Sequence, residues 1–284
     1  MTLTPPAESL AEFGRAVAVA GDLNADGYQD IVVGAPGRSA CSWGGRVGMV
    51  FVYPGSATGI SATTTRSITN PDCDLNGDFG NAFAGGADVN RDGYVDLLVA
   101  ASGNGVDDVW EGQAYLFLGG IGGLRSSPAS RVDCPSCAAT SRLGTSVTFV
   151  GDADLDGHVD IAAGAPNRAT LVTREGVVFL FRGTATWLDP APTARSCPGH
   201  RPEASFGFDV ASCDLTGDGR DDLVVGAPHF DDPTSEEGNV FVYAAGPDGI
   251  AADPTMVLFN PAGTGSEHFG KSLDCADVNG DGYP

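Results

Sequence analysis

Asp, Asn and Gly recur along this chain at a spacing that can hold a hard cation. The pattern Asp22-Leu-Asn24-Ala-Asp26-Gly27-Tyr28-Gln-Asp30 returns as Asp88-Val-Asn90-Arg-Asp92-Gly93-Tyr94-Val-Asp96, Asp152-Ala-Asp154-Leu-Asp156-Gly157-His158-Val-Asp160 and Asp214-Leu-Thr216-Gly-Asp218-Gly219-Arg220-Asp-Asp222. A fifth copy, Asp277-Val-Asn279-Gly-Asp281-Gly282, stops one residue short of its ninth position. Oxygen side chains stand at positions 1, 3, 5 and 9, and Gly stands at position 6. Alternate residues can point oxygens inward, Gly permits the sharp turn, and Ca²⁺ accepts about six to eight oxygen ligands. Position 7 (Tyr28, Tyr94, His158, Arg220) is expected to offer its backbone carbonyl, so His158 is not read as a side-chain ligand. A lone Asp/Asn/Gly cluster is most often only a turn. Recurrence at equivalent places predicts four complete calcium loops and a truncated fifth.

These are not EF-hands, which need a bidentate Glu at position 12. Here that position holds Val33, Val99, Ala163 and Val225. The side-chain ligand positions hold 3, 3, 4, 3 and 2 carboxylates, 15 of the 37 Asp and Glu, so they account for much of the net charge of -22. Four bound Ca²⁺ would bring the charge to -14 and five to -12. No basic stripe exists to meet phosphates, so nucleic acid is excluded as a partner.

The elements that carry the loops repeat with them. Phe13-Gly14, Phe79-Gly80, Leu143-Gly144, Phe206-Gly207 and Phe269-Gly270 precede the loops at spacings of 66, 64, 63 and 63 residues. In the first repeat a strand is expected over 15–20, then the loop, then a buried β-branched strand at Ile31-Val-Val33. Gly34-Ala35-Pro36 ends that strand, since Pro cannot donate to a ladder. Its counterparts are Gly164-Ala165-Pro166, Gly226-Ala227-Pro228 and the divergent Ala100-Ala101-Ser102, which is expected to turn more loosely. A third strand alternates aliphatic and aromatic residues: 48–53, 112–117, 176–181 and 238–243. A weaker fourth segment follows, over 62–68 in the first repeat. Four short strands per repeat, without helical periodicity, make each repeat one antiparallel sheet with two faces to bury, and radial stacking of such sheets is a β-propeller.

Phe-Gly, the Asp-rich loop, Gly-Ala-Pro and the Gly-x-Val-Phe-Val-Tyr strand together resemble FG-GAP repeats. Such repeats build the propeller head of integrin α subunits and occur in many bacterial surface and secreted proteins. The resemblance implies an all-β, calcium-stabilised propeller of four-stranded antiparallel blades with an extracellular, ligand-binding or cell-adhesion role. The family's propeller has seven blades and would need roughly 440 residues at this repeat length. Residues 1–284 are therefore read as a single incomplete propeller domain, with blades over 13–78, 79–142, 143–205 and 206–268 and a partial blade over 269–284.

Seven cysteines (41, 73, 134, 137, 197, 213 and 275) point to an oxidising, extracytoplasmic setting. Cys134-Pro-Ser-Cys137 reads as a small structural disulfide. Cys41 and Cys73 can pair within the first repeat, and at least one cysteine must lack an intrachain partner. The sequence shows no signal peptide at Met1, so the start is read as missing. No apolar run approaches the roughly 20 residues that span a bilayer.

Asp72-Cys-Asp74-Leu-Asn76-Gly-Asp78 has calcium-like spacing but runs straight into Phe79-Gly80, and reads as a solvated loop. Asp231-Asp232 and Glu236-Glu237 read as a solvated acidic loop rather than a glycosidase pair. The four His (158, 200, 229, 268) do not cluster in the sequence, and no catalytic motif is present. Trp43 and Trp110 lie in variable loops after the second strand, where binding surface is commonly placed. The chain is therefore read as a non-catalytic module for a protein or carbohydrate ligand. The alternative is the non-catalytic propeller of a secreted hydrolase or lyase. The count of carboxylates also ranks the loops: the third, with four, should bind calcium most tightly, and the fourth, with Thr216 at position 3, less tightly. Calorimetry should find weaker binding in Asp154→Asn and stronger binding in Thr216→Asp; no change in either would defeat the ranking.

Overall fold

The computed structural model describes residues 3, 12–39, 41, 45–64, 66–105, 110–134, 137, 140–232, 235–261, 268–280 and 284, without the side chains of 231–236. Trp43 and Asp281 lie outside these. The chain divides into two compact units, Met1–Cys134 and Pro135–Pro284. The first holds two four-stranded sheets, β1 (Val17–Gly21) to β4 (Arg66–Thr69), with β2 (Asp30–Ala35) and β3 (Met49–Tyr53) between them, then β5 (Phe79–Ala87), β6 (Asp96–Ala101), β7 (Gln113–Phe117) and β8 (Ser130–Asp133). In the second unit, β9 (Val147–Phe149), β10 (Ile161–Ala165), β11 (Val177–Phe181) and β14 (Thr193–Ser196) form the third sheet. A short hairpin, β12 (Gly183–Thr184) and β13 (Trp187–Leu188), leaves it. The fourth sheet has β15 (Val210–Cys213), β16 (Asp222–Ala227), β19 (Asn239–Tyr243) and β22 (Met256–Phe259). Two hairpins branch from it: β17 (Asp231–Asp232) with β18 (Ser235–Glu236), and β20 (Ala245–Gly246) with β21 (Gly249–Ile250). All pairings in the four sheets are antiparallel, and each joins strands that follow one another within the sheet, the short hairpins aside. No helix occurs among the described residues. This is the β-propeller class of fold, one repeat to a blade.

Strand ends fall within a few residues of expectation, but the first and fourth strands start later. Residues 12–15 are a turn, closed by Arg15 N–H donating to Glu12 O at 3.0 Å. The same turn opens every repeat, at Asp78, Arg142, Ser205 and His268, and each of these residues has a φ between 53° and 62°. Ala100-Ala101-Ser102 does not turn more loosely. Asn104 N–H reaches Ala101 O at 3.0 Å, the distance from Arg38 N to Ala35 O in the first repeat.

Alternation in the third strand sorts the two faces of each blade. In the first sheet Val33, Ala35, Phe51 and Tyr53 gather on one face, with Phe13. Val32, Val50, Val52 and Ile68 take the other, where they meet Phe79, Leu97, Val99, Tyr115 and Phe117 of the second sheet. The second unit repeats the scheme: Ala162, Val178 and Leu180 pack against Phe206, Leu223, Val225, Phe241 and Tyr243. Within each unit, the aromatic residues of the second sheet thus face the aliphatic ones of the first. The Phe of each Phe-Gly seals the junction, with Phe79 edge-on to Tyr115 and Phe117, and Phe206 edge-on to Phe241 and Tyr243. Such pairs add about 0.5–1.5 kcal/mol each beyond area burial.

Between the faces the backbones approach so closely that a side chain cannot fit. A Cβ built on Gly34 would lie 1.9 Å from the carbonyl oxygen of Gly80; Gly164 meets Gly207 O at 2.0 Å and Gly226 meets Gly270 O at 1.9 Å. Gly-Ala-Pro of one blade and Phe-Gly of the next are two halves of one contact. Gly34→Ala should cost about 2–4 kcal/mol, because backbone must move. Gly122→Ala, with nothing within 4 Å, should be near neutral. Urea unfolding of the two variants beside the parent checks the difference.

Candidate metal centres in the loops joining first and second strands

Each Asp-rich loop is set by its own hydrogen bonds. The position-1 carboxylate bridges the turn: its Oδ2 accepts the position-6 N–H at 2.7, 2.7, 2.9 and 2.8 Å in loops one to four. The position-5 Oδ1 accepts the position-7 N–H at 2.9–3.1 Å in Asp26, Asp92, Asp156 and Asp218. Two left-handed residues bend the backbone around these oxygens. One is the position-6 Gly, at φ 85–94°. The other is position 4, where Ala25, Arg91 and Leu155 hold φ of 55–60° at a steric cost of about 1 kcal/mol or more each. Gly217 and Gly280 fill the same place without that cost in the fourth and fifth loops.

Position 9 has a role that its spacing did not reveal. Asp30, Asp96, Asp160 and Asp222 are buried, and each carboxylate spans two parts of its blade. Oδ2 accepts the N–H of position 2 in its own loop: Leu23 at 3.2 Å, Val89 at 2.8 Å, Ala153 at 3.2 Å and Leu215 at 3.0 Å. Oδ1 accepts an N–H from the exit of the third strand: Gly55 at 2.9 Å, Gly119 at 2.9 Å, Gly183 at 2.7 Å and Ala245 at 2.8 Å. The loop is thereby pinned to the exit of a strand twenty-odd residues later. In the first three loops each oxygen can still accept from a second direction, whereas in the fourth Asp222 Oδ2 also accepts Thr216 N–H at 3.0 Å.

The third loop most plainly has the donor set for a cation. Oxygens of Asp152, Asp154 and Asp156 lie within 4.8 Å of one another. In the other three complete loops position-1 Oδ1 accepts the position-5 N–H, at 3.0–3.1 Å. In the third, Asp152 Oδ1 is buried and has no hydrogen-bond partner. A buried carboxylate oxygen without a donor is costly unless a cation meets it. In the fifth loop Gly280 N–H donates to Asp277 Oδ1 at 2.6 Å, as Gly217 N–H donates to Asp214 Oδ1 at 2.7 Å in the fourth. Asn279 follows Asp277 there, and Asp281 lies outside the described residues.

Other candidate residues fall elsewhere. The Asp72 loop is not simply solvated: Asp72 Oδ2 accepts Tyr115 O–H at 2.8 Å and pairs with Arg131 at 3.2 Å. It closes a buried network in which the Asn104 amide contacts Asn70 and donates to Gln113 and Tyr115. Cys41 and Cys73 form a disulfide beside it, as expected. Cys134 and Cys137 are disulfide-bonded, and Cys197 is free and buried, its thiol pushed up to about 11 by that burial. Cys213 bonds to Cys275, a pairing that spacing did not indicate. Folding also gathers histidines that the sequence separates: the His229 and His268 rings are 4.8 Å apart, and His200 lies 3.1 Å from buried Glu175. Trp110 is exposed, and the side chains of Asp231, Asp232 and Glu236 lie outside the described residues.

The FG-GAP repeat family matches residues 13–53, 79–117 and 206–243. The third repeat, which opens on Leu143 in place of Phe, falls outside the matched segments. Over 195 residues, 65% of this chain and 18% of the relative, the sequence is 37% identical to human integrin alpha-IIb. Over 261 residues, 88% of this chain and 22% of the relative, it is 29% identical to integrin alpha-5 of Xenopus laevis. Over 100 residues, 34% of this chain and 9% of the relative, it is 39% identical to integrin alpha-V of Gallus gallus. The chain spans less than a quarter of the length of these relatives.

Burial also raises the proton affinity of the position-9 clamps in the first three loops. It pushes Asp96 and Asp160 up to about 6, against the lowering effect of their backbone donors, and neighbouring loop carboxylates add to the rise. Asp30 is raised for the same reason. A carboxyl raised in the folded state binds its proton more tightly there than in the unfolded chain. Its stabilisation is full below the ordinary value of 3.8 and is lost as pH climbs through about 6. In chelator, urea unfolding should therefore show stability falling from pH 4.5 to pH 7. Asp96→Asn should flatten that slope, and an unchanged slope would exclude Asp96 as a contributor.

Proposed function

From a chain that carries FG-GAP repeats and is similar over most of its length to integrin α subunits, we propose an extracellular, non-catalytic β-propeller module with an adhesion-type binding role. Residues 1–284 are one propeller domain in this reading, and its partner is a protein or carbohydrate ligand. Ca²⁺ is its cofactor and is structural. Asp22, Asn24, Asp26 and Asp30 would hold it in the first loop, with the carbonyl of Tyr28. Asp88, Asn90, Asp92, Asp96 and Tyr94 do so in the second, and Asp152, Asp154, Asp156, Asp160 and His158 in the third. Asp214, Thr216, Asp218, Asp222 and Arg220 serve the fourth, and Asp277, Asn279 and Asp281 begin a fifth.

The observation that carries the reading is the unpartnered buried oxygen of Asp152 beside Asp154 and Asp156. Convergent carboxylates repel one another, and a divalent ion converts that repulsion into attraction. The ion's place between a turn and the position-9 clamp favours a structural role, in which it would hold the first two strands of a blade to the end of the third. Because binding then draws on folding, calcium should raise the melting temperature. At a free concentration about 100-fold above Kd each site adds about 2.7 kcal/mol, or several degrees. Melting curves in calcium and in chelator check this, and equal midpoints would overturn the metal reading.

A further inference from the structure

The third loop differs from its siblings in two residues at once. It alone has a carboxylate at position 3, Asp154, where the others have Asn24, Asn90, Thr216 and Asn279. It alone also has a cation directly after the third strand. Arg182 stands there, where the other blades have Pro54, Leu118 and Ala244. The structure joins these departures: Arg182 Nη1 lies 3.3 Å from Asp154 Oδ2. Asp154 is the enclosed partner, its side chain 9% exposed, whereas Arg182 is 57% exposed and free to swing into water.

In three sibling loops a side-chain donor meets the position-5 carboxylate instead. In the first and second loops the position-3 amide donates to position 5, Asn24 to Asp26 at 3.1 Å and Asn90 to Asp92 at 2.9 Å. In the fourth, Arg220 donates to Asp218 at 2.8 Å. Asp154 has no proton to donate, and it adds a fourth negative charge. Arg182 supplies a compensating charge, and it does so at Asp154 itself. It sits in a groove shared by Asp154, Arg182, Asp248 and Ile250, and a Cβ on Gly249 would come within 3.6 Å of Asp154 Cβ. Asp248 lies in the turn between β20 and β21 of the next blade, and Gly249 begins β21. A displaced Arg182 therefore has a second carboxylate within the same groove.

We propose that Arg182 is an internal counter-ion of the third loop, which competes with calcium for Asp154 and sets that loop's affinity below what four carboxylates alone would give. It rests on the calcium reading of the loop. The arrangement makes the extra carboxylate tolerable while the loop is ion-free, and it makes calcium entry an exchange of one cation for another. Higher salt, which weakens the Arg182–Asp154 pair, narrows the difference that the pair makes.

The test is calcium titration by calorimetry on the full chain as it stands and on Arg182→Ala, Asp154→Asn and the double variant. Arg182→Ala should tighten one binding step about two- to fivefold, the range expected of a part-exposed ion pair. In the Asp154→Asn background the same change should give less than half that gain. Melting in chelator shows that each variant is folded. Calcium binding with every step unchanged in Arg182→Ala would overturn the competition and leave the calcium reading standing. An equal gain with and without Asp154 would also overturn it, since the effect would then be general charge. No binding heat in any folded protein would instead remove the calcium reading, and the inference with it.

Discussion

The contact that the fold depends on is a collision avoided. Where one blade's Gly-Ala-Pro meets the next blade's Phe-Gly, a carbonyl oxygen occupies the space that a side chain would fill, 1.9 Å from a Cβ built on Gly34 or on Gly226. That approach sets the distance between sheets in each unit. Only at that distance do Val50 and Val52 reach Phe79 and Tyr115, or Val178 and Leu180 reach Phe206 and Tyr243. Apolar burial supplies the attraction, but it is non-directional. The glycine pair gives it a position, and the turn before each Phe-Gly aims the pair.

A second constraint acts within each blade. The position-9 carboxylate takes one N–H from the loop between the first two strands and one from the exit of the third strand. A loop that would otherwise connect only neighbours is bound to a segment 23 residues further on in the second repeat. The cost is electrostatic. A buried carboxylate stands beside two or three others, and for Asp96 and Asp160 this shows as a raised proton affinity. A cation in the loop would act against that repulsion, and the clamp would give its binding something to reinforce.

The fold class was legible because four motifs recur in order at nearly constant spacing, and recurrence survives divergence such as Leu143 for Phe or Ala100 for Gly. Strand faces were legible from alternation. The reasons behind the motifs were less so. Pro explains why a strand stops at Ala35, but the need for Gly34 comes from a neighbour in the next repeat, which no local pattern contains. Left-handed backbone at Ala25, Arg91 and Leu155, and before every Phe-Gly, was hidden because those positions share no residue type. The buried network of Asn70, Asn104 and Gln113 was equally hidden, since isolated polar residues resemble surface residues until folding encloses them. So was the pairing of Arg182 with Asp154, which needed the third strand's exit to be placed over the loop. Among the loops themselves the ligand types were readable, and the clamp formed by their ninth residue was not.

Topology separates the two ends of each blade. In an antiparallel sheet the loop from the first strand to the second lies at the opposite end of the second strand from the loop that leads to the third. The acidic loop, the position-9 clamp and the exit of the third strand therefore share one end, and every hydrogen bond of the clamp stays there. Gly-Ala-Pro and the variable segments after it occupy the other. The variable segments diverge in length and composition, as Trp110 in one and the Asp231–Glu236 hairpin in another illustrate, while the clamp is kept in all four complete repeats. A change in a variable segment leaves the clamp's donors where they are. The acidic loops are thus placed to hold the strands of each blade together, at the end that the variable segments do not touch.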